Sequence, residues 1–385
     1  MRIGIDGRYI EDHFPGIGRY TYNLTNKMPQ VAPDGDFVVF HNPRLQNTRY
    51  DVGGLARHPN LQLVPVDIPT LSLKEQYRLR SLAKRLSLDL LHSPYYVRPY
   101  SLHCPSVVTI HDLIPMIYPQ HLPYRWTAWI FRATASLAVR RASHVIAVSE
   151  STKADLVRLF DTSPEKITVT YEAADQRFRP IECKDWQKVI QRYGLPRPYM
   201  LYMGINKPHK NLVFLLEVFS ELKTEVKLVL AGKEDPRYPE ARRKAERLNL
   251  GESVVFLGEV ADNDLPMLYN GAELFVFPSL HEGFGLPVLE AIACGTPVVC
   301  SNTSSLPEIV GDAALTLDPL DREAWVAALM EVLEKEALRA EMSEKGLKRA
   351  AAFSWEETAR RTWKAYQSTL MQHALAPYKG HGFEE

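Results

Sequence analysis

Residues 281–299 read HEGFGLPVLEAIACGTPVV, and the parsing of this stretch decides the fold. A short apolar run, LFVFPS (274–279), leads into it, and a second, PVVCS (297–301), closes it. Between them PVLEAIAC carries its apolar residues at helical spacing. Pro287 suits a first helical turn, where its missing N–H would lack a partner anyway, and Gly295 ends the segment. Strand, loop, helix, strand is the repeating unit of a parallel sheet. Glu282 falls in the loop above the strand's carboxyl end, and Glu290 near the start of the helix. Gly283 and Gly285 let the backbone approach a ligand closely, and free amides at a helix N-terminus favour an anion. An ionised carboxylate only accepts hydrogen bonds, so the pair suits a ligand rich in hydroxyls. One carboxylate can hold a ribose diol and the other a sugar hydroxyl, with phosphates between them on backbone amides. The plainer reading is an acidic first turn at Glu290 and a solvated loop charge at Glu282.

The same alternation runs outward along the chain. The expected front-half strands are RIGID (2–6), FVVFH (37–41), LQLVPV (61–66), LDLLH (88–92), SVVTIH (106–111), HVIAVS (144–149) and KITVT (166–170). The expected back-half strands, besides 274–279 and 297–301, are YMLYMG (199–204), VKLVLAG (226–232) and SVVFLG (253–258). These runs are apolar on both faces, as strands covered by helices on each side must be. A polar, proline-bearing stretch, 172–198, breaks the rhythm and is the expected linker. From about residue 320 only helical patterns follow, and the tail APYKGHGFEE is expected to be mobile. Two open α/β sheets therefore face each other across a cleft, each offering its strands' carboxyl ends. The expected division is 1–178, 179–352 and 353–385, with the last helix packing back on the first unit.

The chain has 385 residues, enough for two domains, with 46 basic and 46 acidic side chains. That balance gives no reason to expect a nucleic-acid partner. Residues 1–180 carry 22 basic against 16 acidic residues, leaving 24 against 30 in the remainder. A basic front half can attract an anionic acceptor or a membrane surface. The four cysteines, Cys104, Cys183, Cys294 and Cys300, lack metal-ligand spacing and read as reduced thiols of a cytoplasmic protein. No uncharged apolar run approaches the ~18 residues of a membrane span.

HEGFGLPVLEAIACGTPVV resembles the E-x7-E signature of retaining glycosyltransferases of the GT-B fold, above all glycosyltransferase family 4. Six further places support the resemblance in the expected order. FPGIGRYTYNL (14–24) is similar to that family's glycine loop, TIHDLIP (109–115) to its His-Asp segment, and VIAVSESTKADL (145–156) to its VSxxSK-type junction. GINKPHKNL (204–212) is similar to its phosphate-binding lysine loop, and SSLPEIVGDAAL (304–315) with FSWE (353–356) to its usual ending.

The resemblance implies an α/β fold of two Rossmann-like domains, with the donor in the back one. It places Glu290 on the ribose, Lys210 on the diphosphate, and Glu282 with the backbone of Gly283, Phe284, Gly285 and Leu286 on the sugar. Gly204 and the glycine loop, Gly16 and Gly18, approach the donor phosphates, and His111 lies near the sugar being transferred. His111, Glu282 and Lys210 are the expected catalytic residues, with Arg19, Asp112, Ser149, Lys207 and Val260 as further candidates. Many relatives also carry an arginine in the lysine loop, where this chain has Ile205, Asn206 and His209, and Lys207 is the nearest substitute. His111 and Asp112 have a second reading as a capping pair. The Asp262-Asn263-Asp264 run imitates a metal-binding D-x-D, but it precedes LPMLYNGAEL and reads as a helix cap; no cluster elsewhere has metal-ligand spacing, and neither metal nor cofactor is expected.

The implied reaction moves a hexose from a nucleotide diphosphate sugar to a hydroxyl of a glycan or lipid-linked acceptor, with retention, in cell-surface polysaccharide assembly. The donor tips toward GDP-mannose, with a UDP-sugar second. Alternatives on the same fold are a nucleotide-sugar 2-epimerase, a phosphorylase, and a non-catalytic nucleotide-sugar binding subunit. Two basic amphipathic stretches, 71–86 and 124–142, read either as internally packed helices or as a peripheral membrane contact.

Overall fold

The computed structural model of the chain describes residues 1–122 and 124–375; the tail APYKGHGFEE lies outside them. The front strands are β1 (Arg2–Asp6), β2 (Asp36–His41), β3 (Leu61–Pro65), β4 (Leu90–Ser93), β5 (Ser106–Ile110), β6 (His144–Ala147) and β7 (Ile167–Val169). They form one sheet in the order β3-β2-β1-β4-β5-β6-β7. A second sheet contains β8 (Tyr199–Met203), β9 (Lys227–Ala231), β10 (Val254–Gly258), β11 (Leu274–Phe277), β12 (Val298–Ser301) and β13 (Leu315–Leu317), in the order β10-β9-β8-β11-β12-β13. Neighbouring strands run parallel, as in Ile3 against Leu90 and Leu274 against Met200. Both sheets reverse their winding once, at β1/β4 and at β8/β11. Open α/β sheets open a crevice at such points, outside the strands' carboxyl ends.

Among the described residues the front sheet is accompanied by α1 (Pro15–Val31), α2 (Lys74–Arg85), α3 (Ile114–Ile117), α4 (Arg125–Arg141) and α5 (Glu150–Phe160). The back sheet has α6 (Cys183–Arg192), α7 (Leu212–Glu221), α8 (Glu240–Arg247), α9 (Leu265–Gly271), α10 (Leu286–Ala293), α11 (Leu306–Val310), α12 (Arg322–Glu334) and α13 (Glu336–Ala350). The final helix, α14 (Trp355–Leu375), places Trp355, Ala359 and Tyr366 in one core with Ile3, Ile5 and Tyr20 of the front sheet layer. The Tyr366 hydroxyl lies 2.6 Å from His92 Nδ1, tying this helix to β4.

Two expectations need correction. The stretch 172–198 is not all linker: α6 lies inside it and buries Trp186 and Ile190 in the back core. Its two buried positions lie four apart, a narrow stripe hidden among charged residues. The strand β13 also lies outside the expected set. With only three half-buried residues, LTL, it lacks the doubly apolar signal of the other strands.

Candidate functional site

The back half of the site is built at the β8/β11 switch point. After β8 the chain passes Gly204 and makes a single 3-10 turn, Pro208–Lys210, before α7 begins at Leu212. Lys210 therefore stands just ahead of the helix, its ammonium 2.5 Å from Glu282 Oε1 and 5.2 Å from the centre of the Phe277 ring. Glu282 is itself buried, and its backbone N–H donates to Ser304 Oγ at 2.8 Å. A carboxylate and an ammonium in this setting are strongly coupled, since surrounding protein excludes the water that would screen them.

The turn 283–286 then delivers α10. Gly285 holds φ 106°, a left-handed conformation natural to glycine, and Pro287 enters the first turn as expected. The backbone N–H groups of Gly283, Phe284, Gly285 and Leu286 donate to no group among the described residues. The Phe284 ring itself faces away, packed against Tyr171 and Phe353. Phe284 can thus offer a ligand its amide but not its side chain. Gly283 answers a different need from the one expected: a Cβ there would come within 2.0 Å of the His111 carbonyl oxygen. Glycine is required because the front domain presses on this turn.

Glu290, 2% exposed, accepts from the Tyr269 hydroxyl at 3.1 Å and is paired with Arg19 Nη1. Arg19 comes from α1 of the front domain and reaches Asp262 with its other terminal nitrogen at 3.0 Å. Arg177 also pairs with Asp262. The Asp262-Asn263-Asp264 run is accordingly not a capping device. Asp264 occupies the cap position of α9 without a capping bond and accepts instead from the Tyr193 hydroxyl at 2.7 Å. Among the described residues no group of three or more His, Cys, Asp or Glu is placed to hold a metal ion.

The front half of the site gathers at the β1/β4 switch point and the end of β5. His111 Nδ1 lies 3.1 Å from Glu172 Oε1, and Nε2 lies 3.0 Å from the Pro94 carbonyl. Both ring nitrogens are engaged, so a sugar hydroxyl meets His111 only by exchange with one of them. Asp112 Oδ1 accepts from the Ile114 N–H at 3.0 Å, which is the capping reading of that residue. Gly18 sits where a Cβ would approach the Tyr9 carbonyl to 3.0 Å, whereas nothing lies within 4 Å of one at Gly16. Space is therefore open beside the first glycine of the loop.

Several contacts hold the halves together. Ser149 caps α5 and donates to the Gly283 carbonyl at 2.5 Å, so it positions the turn. Glu308 accepts from the backbone N–H groups of Glu150 and Ser151, each at 3.0 Å, at the start of α5. His281 Nε2 meets Asp155 Oδ2 at 3.1 Å. Of the other candidates, Lys207 is exposed and Val260 is packed in the back core. His209 is buried and held neutral, its pKa pushed down to about 2 by burial, with Lys210 and Lys207 adding to the effect. Glu172, Glu308, Tyr269 and Arg177 escape a reading of the sequence, and Asp262 is set aside by it. Glu308 lies inside the 304–315 motif without being singled out, and no local pattern marks the others, because their partners come from distant segments.

Known proteins match this arrangement along the chain. The family profile Glycosyltransferase Family 4 matches residues 15–177, and Glycosyl transferases group 1 matches residues 187–349. The O-antigen chain mannosyltransferase B of Escherichia coli is 32% identical, across 95% of this chain and 100% of that protein. The MMP alpha-(1->4)-mannosyltransferase of Mycolicibacterium hassiacum is 30% identical, across 97% of this chain and 100% of that one. Sucrose-phosphate synthase from Thermosynechococcus elongatus superposes with a TM-score of 0.76 at 20% identity, over 97% of this chain and 100% of that chain. Anabaena HepE in complex with UDP and glucose gives 0.74 at 20% identity, over 95% and 99%. At such identities the structural likeness speaks to the fold, which is GT-B. The chain belongs to glycosyltransferase family 4, the glycosyl transferases of group 1, and is a hexosyltransferase.

Proposed function

We propose that this hexosyltransferase carries mannose from GDP-mannose, with a UDP-sugar as second choice, to a hydroxyl of a glycan or lipid-linked acceptor in cell-surface polysaccharide assembly. The observation that carries the donor site is the convergence of Glu282, Lys210, Glu290 and the free 283–286 amides around one helix start. The ribose diol takes Glu290, the diphosphate takes Lys210 and the amides, and the hexose takes Glu282. Both relatives named above are mannosyltransferases, which favours mannose and, through it, a guanosine nucleotide. Residues 1–178 serve as the acceptor side and 179–352 as the donor side.

His111 stands beside the transferred sugar, ready to exchange its Pro94 partner for a sugar hydroxyl. As charge develops on the departing diphosphate, Lys210 and the helix amides stabilise it more than they stabilise the bound donor, which lowers the barrier. The acceptor attacks from the face the leaving group quits, and the leaving phosphate takes its proton, so the anomeric configuration is retained. Trapping of a covalent glycosyl-enzyme would contradict this route.

A peripheral membrane contact through the front domain is favoured by α4. Trp126, Trp129 and Ile130 are 60%, 74% and 54% exposed, and the helix contains no acidic residue. Exposed aromatic residues on a basic helix suit the interface of an anionic bilayer. No helix among the described residues is long and apolar enough to cross a membrane.

The donor assignment is tested by a thermal-shift screen of GDP-, UDP-, dTDP- and ADP-sugars. A ligand that binds the folded state raises its apparent stability. GDP-mannose should give the largest shift, and no shift with any nucleotide sugar would overturn the proposal.

A further inference from the structure

Both carboxylates of the HEGFGLPVLE segment carry a cation supplied by the protein itself. Glu282 is held by Lys210 of its own domain, whereas Glu290 is held by Arg19 from across the cleft. All four side chains are largely withdrawn from solvent. A nucleotide sugar brings the complement of both groups. Its hydroxyls donate to carboxylates, and its two anionic phosphates accept from cations. If hydroxyls replace both cations on the carboxylates, Lys210 needs a new partner and Arg19 keeps only Asp262, a carboxylate it shares with Arg177. Each then has a nitrogen to offer an anion, because an unmatched buried charge is costly.

The lysine loop supplies one such group and no more. Lys207 is exposed, and His209 is buried and neutral. Arg19 is the complement from the other side. It follows Gly18, which is packed against the Tyr9 carbonyl, while Gly16 leaves open space beside it. The buried Arg19 Nε, beside the Tyr50 hydroxyl, makes no hydrogen bond of good geometry among the described residues, and can turn to a ligand. Arginine presents its donors in a planar fork that matches phosphate oxygens.

We infer that Arg19 is a diphosphate-binding catalytic residue delivered by the front domain, resting on Glu290 until the donor ribose takes that carboxylate. This rests on the nucleotide-sugar reading above. Binding is then an exchange of partners in which every buried charge stays matched. Leaving-group stabilisation by Arg19 exists only when the two domains are closed, which ties departure of the diphosphate to an assembled acceptor site.

The test compares diphosphate with nucleoside. GDP and UDP are titrated by calorimetry, and guanosine and uridine by ligand-observed NMR, into wild type, R19A and R19K. The inference expects R19A to bind the diphosphate ~10–100-fold more weakly. Nucleoside affinity should be unchanged or tighter, since Glu290 has lost a competitor, and R19K should recover part of the loss. If R19A unfolds, R19Q, uncharged but still able to donate to Glu290, carries the same comparison. Unchanged or tighter diphosphate binding would reduce Arg19 to a clasp between domains and overturn the inference. Equal losses for diphosphate and nucleoside would make it a structural prop and overturn the inference as well. Wild type that binds neither GDP nor UDP would sink the donor reading itself, and this inference with it.

Discussion

Glu282 and Glu290 share one short segment and are neutralised in opposite ways. Glu282 meets Lys210 within the back domain, both at the edge of one sheet. Glu290 meets Arg19, a residue 271 positions away on the other domain. The first pairing needs only the back domain, whereas the second needs both domains in contact. One carboxylate therefore belongs to a preformed anchor and its neighbour to a closure contact. Separate substitutions at the two should have separable consequences.

The largest effect is expected at the preformed pair. Lys210→Ala should lower kcat/KM by ~10^3, in line with loss of one preorganised electrostatic partner at a departing anion, and Glu282→Ala by a similar factor through loss of the hexose contact and of the group that positions Lys210. If the pair is only structural, Tm falls while kcat/KM of the remaining folded protein holds, which a parallel melting curve would expose. Glu290→Ala should act mainly on donor binding, raising the donor KM by ~10–100-fold with a smaller change in kcat. Equal effects on kcat at the two positions would erase the distinction between anchor and closure contact.

The seam between α14 and the front sheet offers a third, pH-dependent test. His92 is held down to a pKa of about 3, by burial first and by His111 second, between Tyr366 and Thr109. The unfolded chain protonates this group near pH 6.5. Between that pH and about 3 the unfolded state binds more protons, so stability is full above 6.5 and declines as pH falls. A loss on the order of 2 kcal/mol by pH 5 is expected, and His92→Gln should flatten that part of a Tm-against-pH curve. An unaltered curve in the variant would assign the acid sensitivity elsewhere.

The smallest effect on chemistry should come from α4. Replacing Trp126 and Trp129 with serine should leave transfer to a water-soluble acceptor within about twofold, since surface substitutions remote from a site change little. Sedimentation with vesicles containing anionic phospholipid should fall several-fold. Undiminished vesicle binding would separate the membrane contact from this helix.

The same contrast governs what is legible in the sequence. Doubly apolar runs such as VKLVLAG mark strands because both sheet faces are covered, and the βαβ rhythm follows from them. Gly285 and Pro287 are legible because a turn into a helix needs them locally. The helix α6 is hidden because Trp186 and Ile190 are its only buried positions in a charged decapeptide. Arg19 on Glu290 and Glu172 on His111 are invisible for another reason. Each pairing joins segments brought together only by tertiary folding, and nothing in either segment specifies its partner.

Whether a hexose passes from a nucleotide sugar to an acceptor with its anomeric configuration retained is decided by NMR of the reaction. The protein is observed with GDP-mannose, in the presence and absence of a mannose-terminated oligosaccharide acceptor. The expected result is acceptor-dependent release of GDP together with a new glycosidic signal of the donor's own anomeric configuration. A product of inverted configuration, or conversion of the donor without an acceptor, would contradict it.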